Sequence, residues 1–264
     1  TADPLVQFAL IDAQANVLCP ATKLWNTGHG ATMMREAVSL MGGYGITEDC
    51  PGFLGQKWTD AQLEATYEGP EAVQRLQLSL TMNNALFLTQ FDGWIAELEH
   101  IAQEKPAIGA HTLVPAMKLW RWTLGYLENA KDVNGVKLYH KSRQGVTFPL
   151  ADALCWLVAT RQQILDILQL ESKGGADPAL ADGLPGTVQF LSDLAYVHAA
   201  QAAGEAGRIC AELVYGYGAP AEIAEFTALR TASEVAMAGA RLAKDRAAEA
   251  LAQVMIPEAL DYPL

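Results

Sequence analysis

The chain has 264 residues, 51% of them apolar and 18% charged, which is enough apolar mass for one large domain or two of ordinary size. A net charge of −12 excludes a nucleic-acid partner, which needs a basic face, but not a phosphorylated small molecule held by a few local cations. The cysteines at 19, 50, 155 and 210 lack metal-ligand or redox-motif spacing, so neither a zinc site nor a disulfide framework is expected, and a reducing, cytoplasmic setting fits them.

The chain opens on TADPLVQF, without Met or a signal-peptide pattern, as expected of a processed chain or a piece of a longer polypeptide. No run of apolar residues is long enough to predict a membrane span. From Trp25 to Met41 the apolar residues Met33, Met34, Ala37, Val38 and Met41 fall on one helical face, and the pair Gly42-Gly43 stops that helix. A loop follows over 44–59, with Gly45, Pro51, Gly52 and Gly55. Asp60 is placed to cap a short helix reaching Tyr67. Gly69-Pro70 then breaks the chain, with Pro70 suited to the first position of a long helix. Along that helix Val73, Leu76, Leu80, Asn84, Phe87, Phe91, Trp94, Leu98 and Ile101 recur at spacings of three and four.

Pro106 and Gly109 end that helix. Two more carry Leu113 to Leu127 and Leu150 to Leu168. A Gly/Pro-rich loop covers 173–187, and two Ala- and Gly-rich helical stretches follow, suited to close helix–helix approach. No alternating strand pattern occurs. The predicted fold is all-α, a bundle of antiparallel helices with short connections. The ends of 35–45 and 208–218 resemble each other, each closing on Gly-Tyr-Gly; a repeated bundle and two independent helix stops both account for this. His111, His140 and His198 share no metal-ligand spacing and read as surface or core residues. The basic run over 138–148, with His140, Lys141 and Arg143, reads first as a solvated cluster and second as a phosphate contact.

Two segments carry the chemistry. MGGYG (41–45) leaves backbone bare at a helix end, as a plain C-cap does and as a closely approaching cofactor requires. TYEGPE (66–71) places Glu68 between an aromatic residue and a Gly-Pro break. Taken alone, that is a surface glutamate at a helix break.

Taken in order, Lys23, then 35–51, then 60–75 resemble the C-terminal helical domain of the acyl-CoA dehydrogenase family. That family runs Gln-x-x-Gly-Gly-x-Gly, then Thr-x-Glu-Tyr-Pro, then Asp-Ala, then Tyr-Glu-Gly-Thr-x-x-Ile/Val-x-Arg. The likeness spans about residues 20–80. It implies a helical domain over 1–105, with 106–264 an additional C-terminal bundle. It implies that Glu68 is the catalytic base taking the α-proton of an acyl-CoA thioester, and that a hydride passes from the β-carbon to FAD. It implies FAD contacts at Ser39, Met41, Gly42, Gly43, Pro70 and Glu71, with Tyr67 and Gly69 against the acyl thioester. The Glu68 N–H and a flavin hydroxyl then hold the thioester oxygen. A helix N-terminus just beyond Glu68 favours a negative charge there.

The resemblance further implies an electron-transfer flavoprotein as electron acceptor. It also implies a homo- or hetero-oligomer whose FAD site is shared between subunits or completed by domains absent from this chain. The departures are Ser39 for the family Gln, Pro70 for the Thr hydroxyl, Thr59 for an Arg, and two extra residues between Pro51 and Asp60. Two alternatives stand beside the dehydrogenase: a non-catalytic helical subunit supporting a flavin-bearing partner, and an acyl-CoA oxidase.

Overall fold

The structure is a computed structural model that describes residues 3–178, 181–217 and 223–254. Among them there are ten α-helices and no β-strand; Lys131 and Lys137 form only an isolated antiparallel bridge. The all-α expectation holds.

A first helix, α1 (Pro4–Leu24), precedes anything the periodicity predicted. Asp3 caps it by accepting the Leu5 N–H at 2.9 Å, and Pro4 occupies the position where a missing N–H costs nothing. Pro20 inside the helix hides its continuity from a sequence reading. A π-helical turn (Trp25–His29) follows and runs directly into α2 (Gly30–Leu40), so the helix expected from Trp25 begins five residues later. The glycine stop holds: Gly42 takes φ 60, the left-handed conformation that closes helices.

The next helix differs from expectation. α3 spans Leu54–Glu64 and passes through Asp60 instead of being capped by it. Phe53 adopts φ 53 and its carbonyl accepts the Lys57 N–H at 2.9 Å, which starts the helix ahead of the expected aspartate. Pro70 is the N-cap of α4 (Glu71–Thr81) and not its first residue; its carbonyl accepts the Val73 and Gln74 N–H groups.

The single long helix expected from Pro70 to Ile101 is two. α4 stops at Thr81 and α5 spans Ala85–Glu104. Asn84, counted in the apolar repeat, is the break: its Oδ1 accepts the Leu86 and Phe87 N–H groups at 2.9 and 3.3 Å. Beyond the expected stop at Pro106 and Gly109 come α6 (Ala110–Asn129) and α7 (Gln144–Lys173). Three helices, not two, follow the Gly/Pro loop: α8 (Leu184–Tyr215), α9 (Ile223–Val235) and α10 (Ala240–Val254). A turn ending at Gly239, φ 93, separates the last two. Of the 173–187 loop, residues 179 and 180 lie outside the described residues, as does Gly218 of the second Gly-Tyr-Gly.

The chain divides into two compact units, each discontinuous in sequence. The first comprises Thr1–Asp92 and Tyr126–Cys155. In it α1 packs on α4 and α3 packs on α2, around Val17, Leu78, Met82, Phe87, Phe91 and Leu150. Residues from 126–155 complete it. Arg75 Nε donates to Asp152 at 2.8 Å, Tyr139 Oη donates to the Ser79 carbonyl at 2.7 Å, and Asn83 donates to Glu128 at 2.9 Å. The second unit comprises Gly93–Gly125 and the chain from Trp156 onward. Its core holds Leu113, Met117, Trp120 and Ile164, with the alanines of α8 as its close-packing face. Gly109 there (φ 87) lies so near α8 that a β-carbon would sit 2.7 Å from the Tyr196 Cα.

Candidate functional site

The residues of the MGGYG and TYEGPE segments lie in the first unit, toward the two ends of α3. α3 itself, 11 residues, is about 16 Å long. At one end Ser39, Met41, Gly42 and Gly43 are exposed at the C-terminal turn of α2. A β-carbon at Gly42 or Gly43 would meet nothing within 4 Å, so this backbone faces open space. Gly45 has a different reason to be glycine: a β-carbon there would collide with the Val38 carbonyl. The start of α3 packs beside this turn, where a Gly55 β-carbon would lie 3.1 Å from the Ile46 Cα.

At the other end, the stretch Tyr67 to Glu71 is a tight reversal between α3 and α4. Glu68 takes φ 50 and Gly69 takes φ 92, two successive left-handed residues. For a residue with a side chain that conformation costs about 1–3 kcal/mol, and it persists only where the surroundings enforce it. Glu68 is exposed, and its carboxylate accepts no hydrogen bond from any described residue.

Three groups enforce the turn. Gln74 Nε2 donates to the Glu68 and Gly69 carbonyls at 3.3 and 2.9 Å. Lys23 Nζ donates to the Glu64 carbonyl at 2.7 Å and lies 4.4 Å from the centre of the Tyr67 ring. The Tyr67 hydroxyl donates to the Glu64 carboxylate. That bond raises the Tyr67 hydroxyl above its ordinary pKa, because a phenolate there would face a carboxylate.

Beneath the turn, Glu71 accepts from Arg75 at 3.0 Å, and Arg75 reaches on to Asp152. Burial pushes the Asp152 carboxyl above the usual carboxylate range, with Arg75 pulling the other way. Glu71 also lies against the π-helical turn: a β-carbon at Gly28 would stand 2.9 Å from its Oε1. In that turn His29 stacks on Trp25 at 4.3 Å, and burial lowers the His29 pKa. π-Helical turns recur at functional sites. The sequence reading gave no role to Gln74, His29 or Asp152. For Gln74 the only available signal was its place in the first turn of the helix after the Gly-Pro break, from which a side chain can reach back.

The basic run beyond 138 is partly consumed internally. Arg143 pairs with Asp132 and His140 with Ser142, while Lys141 is exposed. His111 and His198 make side-chain contacts in the second unit, with Tyr196 and Gln163 respectively. No group of three His, Cys, Asp or Glu residues suited to a metal occurs among the described residues. All four cysteines are free thiols, and burial pushes the Cys210 thiol up to about 12. No described helix is long and apolar enough to cross a membrane.

The first unit thus places a bare glycine turn at one end of a short helix and a Tyr-Glu-Gly reversal at the other. Residues 5–82 match the family model described as acyl-CoA dehydrogenase, C-terminal domain. No curated protein and no solved structure matches the chain.

The exposed backbone of Ser39 to Gly43 is compatible with one edge of a flavin cofactor, because no described residue occupies the space beside Gly42 and Gly43. Pro70 offers no hydroxyl or N–H, and Glu71 is already engaged by Arg75, so the second end of α3 fits the cofactor less closely.

Proposed function

We propose that this chain is the part of a flavin-dependent acyl-CoA dehydrogenase that bears the catalytic base, Glu68. One observation carries the reading. The matched segment contains a glutamate held in a left-handed turn, exposed and with a carboxylate that accepts no hydrogen bond from a described residue, where ordinary surface glutamates meet no such constraint.

The α-proton of a thioester is weakly acidic, so its removal needs a carboxylate fixed in place and aimed at the carbon. Glu68 stands two residues before the Pro70 N-cap of α4, whose free N–H groups favour negative charge nearby. Tyr67 and Gly69 flank the acyl thioester, and the Glu68 N–H polarises its oxygen. Ser39, Met41, Gly42 and Gly43 hold an edge of FAD, with Pro70 and Glu71 at its margin. FAD, when bound, supplies the acceptor for the β-hydride, and an electron-transfer flavoprotein takes the electrons onward. Further domains or a partner subunit complete the cofactor site. The second reading, a non-catalytic helical subunit, is favoured by Pro70 and by the engagement of Glu71 with Arg75.

The test is the visible spectrum of the assembled, flavin-loaded protein. Adding an acyl-CoA bleaches the flavin band, and hydrogen peroxide production selects an oxidase over a dehydrogenase. Glu68→Gln lowers the bleaching rate by about 10²–10⁴-fold while acyl-CoA still binds. Native bleaching in that variant removes Glu68 from the role and leaves the supporting-subunit reading.

A further inference from the structure

We infer that Gln74 is a positioning residue for Glu68, holding the carboxylate-bearing turn in its left-handed conformation from inside the first turn of α4. This rests on the reading of Glu68 as the base.

Glu68 and Gly69 are successive residues of positive φ, and their two carbonyl oxygens lie within reach of one nitrogen. Two carbonyl oxygens brought together repel one another and call for a shared donor. A primary amide is the one neutral side-chain group that offers two N–H bonds from one nitrogen. Gln74 Nε2 sits 3.3 Å from the Glu68 oxygen and 2.9 Å from that of Gly69, so one nitrogen answers both carbonyls. Its position is fixed in turn by α4, because the Gln74 N–H is bonded to the Pro70 carbonyl at 3.1 Å. The loop from Glu68 to Gln74 therefore closes on itself through one backbone bond and two side-chain bonds.

The glycine agrees with this. A β-carbon at Gly69 would overlap Gln74 Nε2, and it would lie 3.6 Å from Val73 Cγ1. Residue 69 is thus glycine for two reasons at once, its φ of 92 and the space the Gln74 amide occupies. Without that amide, the Glu68 carbonyl loses its donor, and the ordinary penalty on a left-handed side-chain residue drives its φ back to negative values. The Glu68 carboxylate then leaves its aim, and a base misplaced by about 1 Å loses on the order of 10²-fold in rate.

Gln74 touches neither the substrate nor the reacting atoms in this account, so its effect falls on the chemical step and not on binding. Gln74→Met keeps the length and apolar stem and removes both donors. In the flavin-loaded assembly it is expected to lower kcat by 10-fold or more with KM for acyl-CoA near native, and to enlarge the isotope effect on α-deuterated substrate. Gln74→Glu adds a pH signature. Its carboxylate opposes both carbonyls when ionised and donates to one when protonated, so its activity relative to native rises as pH falls. Independently of turnover, NMR reads the turn itself: the Glu68 α-carbon shift and its N–H to α-proton coupling move from left-handed toward extended values in Gln74→Met.

Native kcat and native Glu68 shifts in Gln74→Met overturn the inference. So does a flat activity ratio with pH in Gln74→Glu, and so does equal loss of binding, turnover and Tm, which makes Gln74 a residue of the fold alone. If Glu68→Gln is inactive while the Gln74 variants are native-like, this inference fails and the base reading stands. If Glu68→Gln is itself native-like, the base reading fails first.

Discussion

At the scale of single residues, Gly69 is where backbone geometry and side-chain packing make the same demand. Gly69→Ala places a β-carbon at φ 92 and onto the Gln74 amide. The expected cost is about 1–3 kcal/mol, read as a lower midpoint in denaturant unfolding followed by circular dichroism. Adding Gln74→Ala frees the space the new methyl needs. The two changes therefore cost less together than their sum, and a double-mutant cycle with strictly additive terms rejects the shared-space account. The sequence made Glu68, Tyr67 and Gly69 legible, because their types and order are a local signal. It left Gln74, His29 and Asp152 illegible. Gln74 acts backwards along the chain through a turn whose φ values no residue type announces at a glutamate. Asp152 reaches Arg75 across 77 positions of sequence.

At the scale of elements, capping decided more than periodicity. The run from Val73 to Ile101 has an unbroken apolar repeat, yet Asn84 interrupts it, because an amide oxygen that satisfies two free N–H groups outweighs continuity of an apolar stripe. Asn84 falls on that stripe by spacing alone, which is why it read as part of it. α3 was misplaced for a related reason: Asp60 has the chemistry of a cap, but the turn at Phe53 had already begun the helix. Turns stabilised by carboxylates carry a pH dependence, and the 131–137 turn is the clearest case. The N–H of Val136, then Arg143 and the N–H of Asn134, hold the Asp132 carboxyl below its ordinary value of 3.8. The unfolded chain thus binds a proton at a pH where the folded turn does not. The stabilisation is complete above the ordinary carboxylate range and is lost as pH falls through the lower folded value. Amide exchange at Asn134 and Val136, followed from about pH 6 down to about pH 2 and corrected for intrinsic rates, is expected to show protection fading only in the acid limb. Asp132→Asn keeps the acceptor oxygen and removes the charge. Protection in that variant is then weaker and nearly flat with pH, and an unchanged acid limb in it assigns the effect to another group.

At the scale of the whole molecule, the first compact unit is not a contiguous stretch of chain. The matched segment ends at residue 82, yet beside α1, which packs on α4, side-chain partners of α4 and of the residues just after it come from 126–155. Asp152 answers Arg75, Tyr139 answers Ser79, and Glu128 answers Asn83. Leu138, Leu150 and Leu154 of that returning segment are fully buried. A chain cut after Asp92 therefore keeps the Tyr67–Glu71 turn in sequence but loses these buried leucines, and it leaves Arg75 with Glu71 alone. Domain stabilities are only about 5–15 kcal/mol, and each large buried side chain is worth about 1.5–3 kcal/mol. The three leucines alone are thus comparable with the whole margin. The fragment 3–92 is expected to keep partial helicity by circular dichroism, to melt without a cooperative transition, and to bind a hydrophobic dye. The fragment 3–155 restores a cooperative melt, and within it Asp152→Ala lowers the Tm by less than removal of the segment does, because the ion pair is the smaller part of what the returning segment contributes. A sharp, native-like melt of 3–92 rejects this account and makes the matched segment with its following helix turn self-sufficient.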